Sequence, residues 1–208
     1  MADEVVWSGG KLVHAKVTDK VNAKIEKGAL TVAHALVLHQ TGAATAASSF
    51  SSYDKGENGA HFLIDTDGTL YQTARIDQKC WHVGKVRSRC MEMKSCTPEE
   101  LKVANAILFK KGESYNVRID NLYQHEAAKS YPDRFPLNED SLGIEIVGSF
   151  DAKAQTYAAV TKDQNEALTW LVDVLTVKLA LGSGDVFTHG AIGYKQPTEA
   201  STAQWTKP

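Results

Sequence analysis

Apolar residues in this chain follow two patterns. Short unbroken runs of Leu, Val and Ile read as buried strands, and longer stretches with apolar residues every three or four positions read as amphipathic helices. "AHALVLHQT" (33–41) is a short run that breaks at a polar cluster, which predicts a buried strand ending at His39. Residues 42–53, rich in Ala and Ser, fit either a helix or a loop. "AHFLIDTDGTLYQTA" (60–74) holds two runs of strand formers around Asp67–Gly68. An Asp-Gly step between such runs predicts a hairpin, because Gly accepts positive φ at no steric cost. "SLGIEIVGSF" (141–150) and "DVFTH" (185–189) predict two further strands.

Two stretches carry complete helix signals. In "TPEELKVANAILFKKG" (97–112), Thr97 is the expected N-cap, Pro98 occupies the first helical position, Glu100 completes a capping box and Gly112 is the expected stop. In "TKDQNEALTWLVDVLTVKLALG" (161–182), Thr161 and Gln164 form a second capping box. Leu168, Leu171, Val172, Leu175 and Leu179 share one face there, and Gly182 is the expected end. A further helix is expected near 119–131. Strands and helices alternate loosely, which predicts a single α/β domain over 1–208 with a mixed central β-sheet flanked by helices. No internal repeat, low-complexity segment or domain boundary is visible.

Composition narrows the function. The 208 residues are 43% hydrophobic, enough for a sizeable core. With 23 basic and 25 acidic residues the formal net charge is −2, which gives no electrostatic footprint for nucleic acid. No apolar run approaches the roughly 20 residues that a membrane span needs. "MADEVVWSGG" has no basic n-region and no apolar h-region, so the expectation is a protein made in the cytoplasm without a signal peptide. Cys90 and Cys96 are spaced to pair across a short loop, but together with Cys80 the expectation for such a protein is three reduced thiols.

The chemistry candidates cluster at predicted strand ends. His39 ends one expected strand and His189 another. Glu145 sits between apolar neighbours in "GIEIVG", where a carboxylate is costly unless paired or functional. Two His residues and one acidic ligand from a loop would make a three-ligand zinc site with a fourth position open for water. Taken singly, each His is more often structural or at the surface, and Glu199 alone is an ordinary solvated charge.

The order of motifs changes that weighing. "LVLHQTG", the hairpin "HFLIDTDGTLYQ", "WHVG" (81–84), "SLGIEIVG" and the closing "THGAIGYKQPTE" together resemble the zinc-dependent N-acetylmuramoyl-L-alanine amidases of type 2, which share a fold with peptidoglycan recognition proteins. The matches span about residues 32–201. The resemblance implies Zn²⁺ as cofactor, held by His39 and His189, with Glu145 as the catalytic carboxylate. The third ligand departs from the family. Many members place Asp or Cys eight to ten residues after the second His, before Pro-Gly and two after a Lys. Here the eighth residue is Pro197 and the tenth Glu199, so Glu199 is the expected ligand. Lys195, four residues earlier, is the expected group for the developing oxyanion, set against an exposed loop Lys.

His61 and His82 are expected to line the substrate site, and Trp81 is as well suited to the core as to a sugar or peptide platform. His14, His34 and His125 have no supporting pattern. Residues 85–140 form an insert longer than compact members carry, with Cys90, Cys96 and two helices. The implied substrate is peptidoglycan or a muropeptide, cut between N-acetylmuramic acid and L-alanine. The insert and the near-neutral single domain favour an antibacterial effector. Such an effector enters a rival's periplasm by a non-classical route such as type VI secretion, and its producer then needs an immunity protein. A cytosolic recycling enzyme and a phage lysin are the other settings. The rival class is a non-catalytic peptidoglycan-binding recognition module, favoured if Glu199 cannot reach the metal. A zinc peptidase cutting within the stem peptide is a lesser alternative.

Overall fold

The structure is a computed structural model that describes residues 4–205. Its centre is a pair of long parallel strands, β4 (Ala35–Gly42) and β7 (Ser141–Asp151), in direct register from Ala35–Ser141 to Gln40–Ile146. Their apolar runs are nearly continuous because both faces are covered, as parallel strands generally require. β3 (Val17–Asp19), β5 (Phe62–Ile64), β6 (Leu70–Gln72) and β9 (Val186–Thr188) complete the order β3–β6–β5–β7–β4–β9, and β8 (Thr156–Tyr157) pairs with the far end of β7. The β5–β6 and β7–β8 pairs are antiparallel and the others parallel, so the sheet is mixed as expected.

The hairpin turns where Asp67–Gly68 predicts it. Gly68 has φ +83°, and a Cβ there would lie 2.9 Å from the Asp163 carbonyl oxygen. A separate ribbon, β1 (Val6–Ser8) with β2 (Lys11–Val13), precedes the sheet.

Strand alternation sorts the two sheet faces. Leu36, Leu38, Ile64, Leu142, Ile144 and Ile146 pack against Leu168, Leu171, Val172 and Leu175 of α5 (Lys162–Leu179). Full burial of one such side chain stabilises the fold by about 1.5–3 kcal/mol. The opposite face is covered in two patches. α1 (Ala46–Tyr53) resolves the 42–53 alternative as a helix and lies over Leu63 and Val147. The 85–140 segment contributes α2 (Arg89–Glu92), α3 (Pro98–Leu108) and α4 (Tyr115–Ala127), and its Val86, Phe135 and Leu137 pack on Val37. A cleft remains between the two patches.

Several expectations are corrected. β4 does not end at His39, because His39 and Gln40 stay paired with Glu145 and Ile146 and the register shifts only beyond Gln40. His189 is not in a strand: it opens α6 (His189–Ile192), the turn that follows β9. Both capping boxes form, but Gly112 and Gly182 lie beyond the helix ends. α5 stops at Ala180, whose φ of +53° lets the Leu181 N–H donate to the Thr176 carbonyl at 3.0 Å. Cys90 and Cys96 form a disulfide rather than staying reduced. The α2 turn and the left-handed Lys94 (φ +54°) fold the chain back and bring their Cα atoms to 4.5 Å. Cys80 is a buried free thiol. Among the described residues no helix is long and apolar enough to cross a membrane.

Candidate metal centre and active-site cleft

Strand geometry makes the site from residues that are remote in sequence. His39 and Glu145 are register partners on β4 and β7 and face the side opposite Leu38 and Ile144. β9 pairs with β4, placing Thr188 beside Leu38, so His189 at the start of α6 falls next to His39. Glu199 arrives on a loop that crosses tightly over α6. A Cβ on Gly190 would lie 2.6 Å from the Gln196 carbonyl oxygen, so only glycine lets this loop approach. Gln40, buried beside His39, accepts the Ala200 N–H on its side-chain oxygen at 3.0 Å and so tethers the residue next to Glu199.

The result is a compact donor triangle. His39 Nδ1 and His189 Nδ1 are 2.9 Å apart, His189 Nδ1 and Glu199 Oε1 3.1 Å, and His39 Nδ1 and Glu199 Oε1 3.4 Å. All three residues are buried. One face of a tetrahedral zinc site with bonds of about 2.0–2.2 Å has edges of about 3.3–3.6 Å. The observed triangle is that face slightly contracted, so the residues fit the ion. The electrostatics agree. Burial, then the neighbouring His189, pushes His39 down to about 4, leaving a neutral imidazole with a free lone pair. Burial alone would raise Glu199, but its contacts with His189 and His39 outweigh it and hold the carboxylate down to about 2.

Glu145 stands apart from the triangle. Its Oε2 is out of solvent and has no hydrogen-bond partner. Burial, then the Glu199 charge, pushes it up to about 8, and Lys195 pulls the other way. Both line one cleft of about 520 Å³ whose floor holds the triangle. Lys195 itself is exposed on the loop above.

The other expected site residues separate. Trp81 is half exposed on the cleft rim, with Lys27 Nζ 4.9 Å from its ring centre, so it is not a core residue. His82 reaches the cleft but spends both ring nitrogens inside the protein, on His39 Nε2 at 3.0 Å and the Ser141 carbonyl at 3.3 Å. His61 does not line the cleft. It is fully buried, accepts the Gly143 N–H on Nδ1 at 3.0 Å and donates from Nε2 to the Gln78 carbonyl at 2.8 Å. These bonds make it a latch between segments of the fold, because a buried imidazole needs both nitrogens satisfied. Tyr53 is a cleft residue that sequence reasoning misses. Its hydroxyl is buried and unpartnered near Glu145, and an aromatic at the end of an Ala/Ser run carries no signal of that.

A sheet that carries this donor set on one face could hold a metal ion there. The chain belongs to the N-acetylmuramoyl-L-alanine amidase family, whose family model matches residues 29–203. Solved structures share the fold. A selenomethionine AmpD derivative superposes with a TM-score of 0.54 at 18% identity, covering 92% of this chain and 89% of its own. AmpDH3 from Pseudomonas aeruginosa, in complex with an anhydromuramic pentapeptide, gives 0.51 at 20% identity, covering 78% of this chain and 53% of its own. The endolysin amidase LysCS from Clostridium intestinale URNW gives 0.50 at 15% identity, covering 87% and 85%. No curated protein matches the sequence.

Proposed function

We propose that this amidase cleaves peptidoglycan or muropeptides between N-acetylmuramic acid and L-alanine, with a zinc ion held by His39, His189 and Glu199. The observation that carries the reading is the donor triangle of 2.9, 3.1 and 3.4 Å beside an unpartnered Glu145 oxygen in the same cleft. Zinc held there supplies a Lewis acid and lowers the pKa of water towards about 7. Glu145 accepts the proton of the attacking water on its free Oε2 and returns it to the departing alanine nitrogen. In the metal-free cleft burial and the Glu199 charge raise the Glu145 pKa and Lys195 lowers it; a bound zinc ion would act in the same direction as Lys195, towards the carboxylate form that the first step needs. The Lys195 ammonium also stabilises charge developing on the lactyl carbonyl oxygen, and exposed Trp81 offers a face for sugar or peptide.

The recognition-module alternative needs a third ligand out of reach, whereas Glu199 lies with His39 and His189 in the donor set. For its setting, we favour action in an oxidising periplasm as an antibacterial effector countered by an immunity protein. The Cys90–Cys96 disulfide supports that setting over a cytosolic recycling role.

The test combines metal analysis with mass spectrometry of a muropeptide digest for wild type and Glu199→Ala. The expected wild type holds one zinc and frees stem peptide at L-alanine, and the variant loses both. A wild type that binds muropeptide but frees no stem peptide with zinc present overturns the amidase reading.

A further inference from the structure

The two histidines of the donor triangle are supported unequally. His189 Nε2 is buried with no hydrogen-bond partner. His39 Nε2 is 3.0 Å from His82 Nδ1, and His82 Nε2 is 3.3 Å from the Ser141 carbonyl oxygen. The far end of this chain sets the direction of every proton in it. A carbonyl oxygen only accepts, and the Ser141 hydroxyl, 3.5 Å from His82 Nε2, already donates to the Leu137 carbonyl at 2.6 Å. His82 Nε2 therefore carries the hydrogen. Among the described residues no carboxylate contacts the His82 ring, which lies edge-on to the imidazoles of His39 and His61 at 5.2 and 5.7 Å between centroids, so nothing there offsets the cost of a second ring proton and Nδ1 is the bare nitrogen. His39 must then donate from Nε2, which leaves the lone pair of Nδ1 facing His189 and Glu199.

His82 is itself held in place on two sides. Asn138, at the end of the 85–140 segment, accepts the backbone N–H groups of His82 and Val83 on its side-chain oxygen at 2.9 and 2.7 Å. Below the ring is Gly143, where a Cβ would lie 2.8 Å from His82 Cγ and Nδ1. A glycine in the interior of a central strand weakens that strand, and here the space it leaves is filled by the imidazole.

We infer that His82 is a positioning residue for metal binding. Its Nδ1 locks His39 in the Nε2–H tautomer and aims Nδ1 at the ion, with Asn138 clamping the His82 backbone. The inference rests on the proposed metal site. It revises the role of His82 from lining the substrate groove to setting metal affinity. Groups that orient metal-ligating imidazoles typically account for about 10–100-fold in metal affinity.

The experiment measures zinc affinity by competition with a chromophoric chelator for wild type, His82→Phe and His82→Asn. Phe keeps the ring volume without an acceptor, and Asn returns an oxygen near the position of Nδ1. The expected result is a zinc Kd weakened about 10–100-fold in His82→Phe and largely restored in His82→Asn. Nitrogen chemical shifts of the zinc-free wild type should report His39 as the Nε2–H form, and those of His82→Phe a mixture. Zinc-free melting curves guard against simple unfolding: if His82→Phe melts early, the Asn rescue and the wild-type tautomer still decide. Equal zinc affinity in folded wild type and His82→Phe, or a wild-type His39 protonated on Nδ1, overturns this inference and leaves the amidase reading intact. A wild type that binds no zinc overturns both.

Discussion

Leu38 and His39 are neighbours on one strand, and Ile144 and Glu145 are neighbours on the next, yet each pair divides between two unlike faces of the sheet. On the α5 face, Leu38, Ile144, Leu168, Leu171 and Leu175 are fully buried and need no polar partner. On the cleft face, one Glu145 oxygen, one His189 nitrogen and the Tyr53 hydroxyl are buried without partners. Buried polar groups are ordinarily paired, so the orphaned Glu145 oxygen inside the cleft marks where the protein expects a ligand, whereas other orphans, such as the Trp205 indole nitrogen beside the α5-face core, lie away from it. The same two strands thus divide the labour: one face supplies stability, and the other spends some of it on holding unpaired groups in place. Substitutions on the two faces should therefore fail in different measurements.

The largest effect is expected at Glu145. Glu145→Gln keeps the shape and removes the base, so turnover on muropeptides should fall about 10²–10⁴-fold while zinc content stays at the wild-type level. Loss of zinc in that variant would mean that Glu145 belongs to the metal donors and not beside them. The zinc-free protein gives a second signature. The folded pKa of Glu145 lies at about 8, above its ordinary value of 4.5. Stability linked to this group is therefore fully present below 4.5 and is lost as pH rises through about 8. Between pH 5 and pH 8.5 the melting temperature of zinc-free wild type should fall relative to that of Glu145→Gln. Parallel curves would remove the burial argument for this carboxyl.

Leu168→Ala tests the other face. Leu168 is fully buried between α5 and the sheet. The cavity should cost about 2–5 kcal/mol in denaturant unfolding. Zinc affinity and turnover per folded molecule should stay near wild type, because no cleft residue loses a contact. A zinc affinity that fell in step with stability would mean that the two faces are coupled through the strands.

Local signals carried much of this into the sequence, and long-range ones did not. Thr97 and Thr161 announce their helices because a capping box lies within four residues, and Asp67–Gly68 announces its turn for the same reason. His39, Glu145, His189 and Glu199 are legible as a family pattern. That β4 continues through His39 is not, since a polar residue facing a cleft looks like a strand running out into solvent. The strands β1, β2 and β3 are three residues each, too short to show a period. The disulfide depends on how α2 folds back. The roles of His82 and His61 depend on which atoms meet their ring nitrogens, and no spacing along the chain encodes that.

The smallest predicted effect lies where the two faces share a fastening. Gln164 completes the α5 capping box by accepting the Thr161 N–H at 3.0 Å, but its amide also donates to the Val147 carbonyl at 2.8 Å, two residues along β7 from Glu145. Thr161→Ala removes an ordinary cap and should cost about 0.5–2 kcal/mol. Gln164→Leu keeps that cap, because the residue-164 backbone N–H still donates to Thr161 Oγ1, but it removes the bond to the buried Val147 carbonyl at a cost of about 1–3 kcal/mol, so it should be the more damaging of the two by denaturant unfolding. If Gln164→Leu also lowers turnover while zinc affinity holds, the fastening sets the position of Glu145, and the stability face reaches the chemistry through one amide. If turnover holds as well, the two faces are independent even where they are tied, because the Glu145 backbone is already fixed by its pairing with His39 and Leu63.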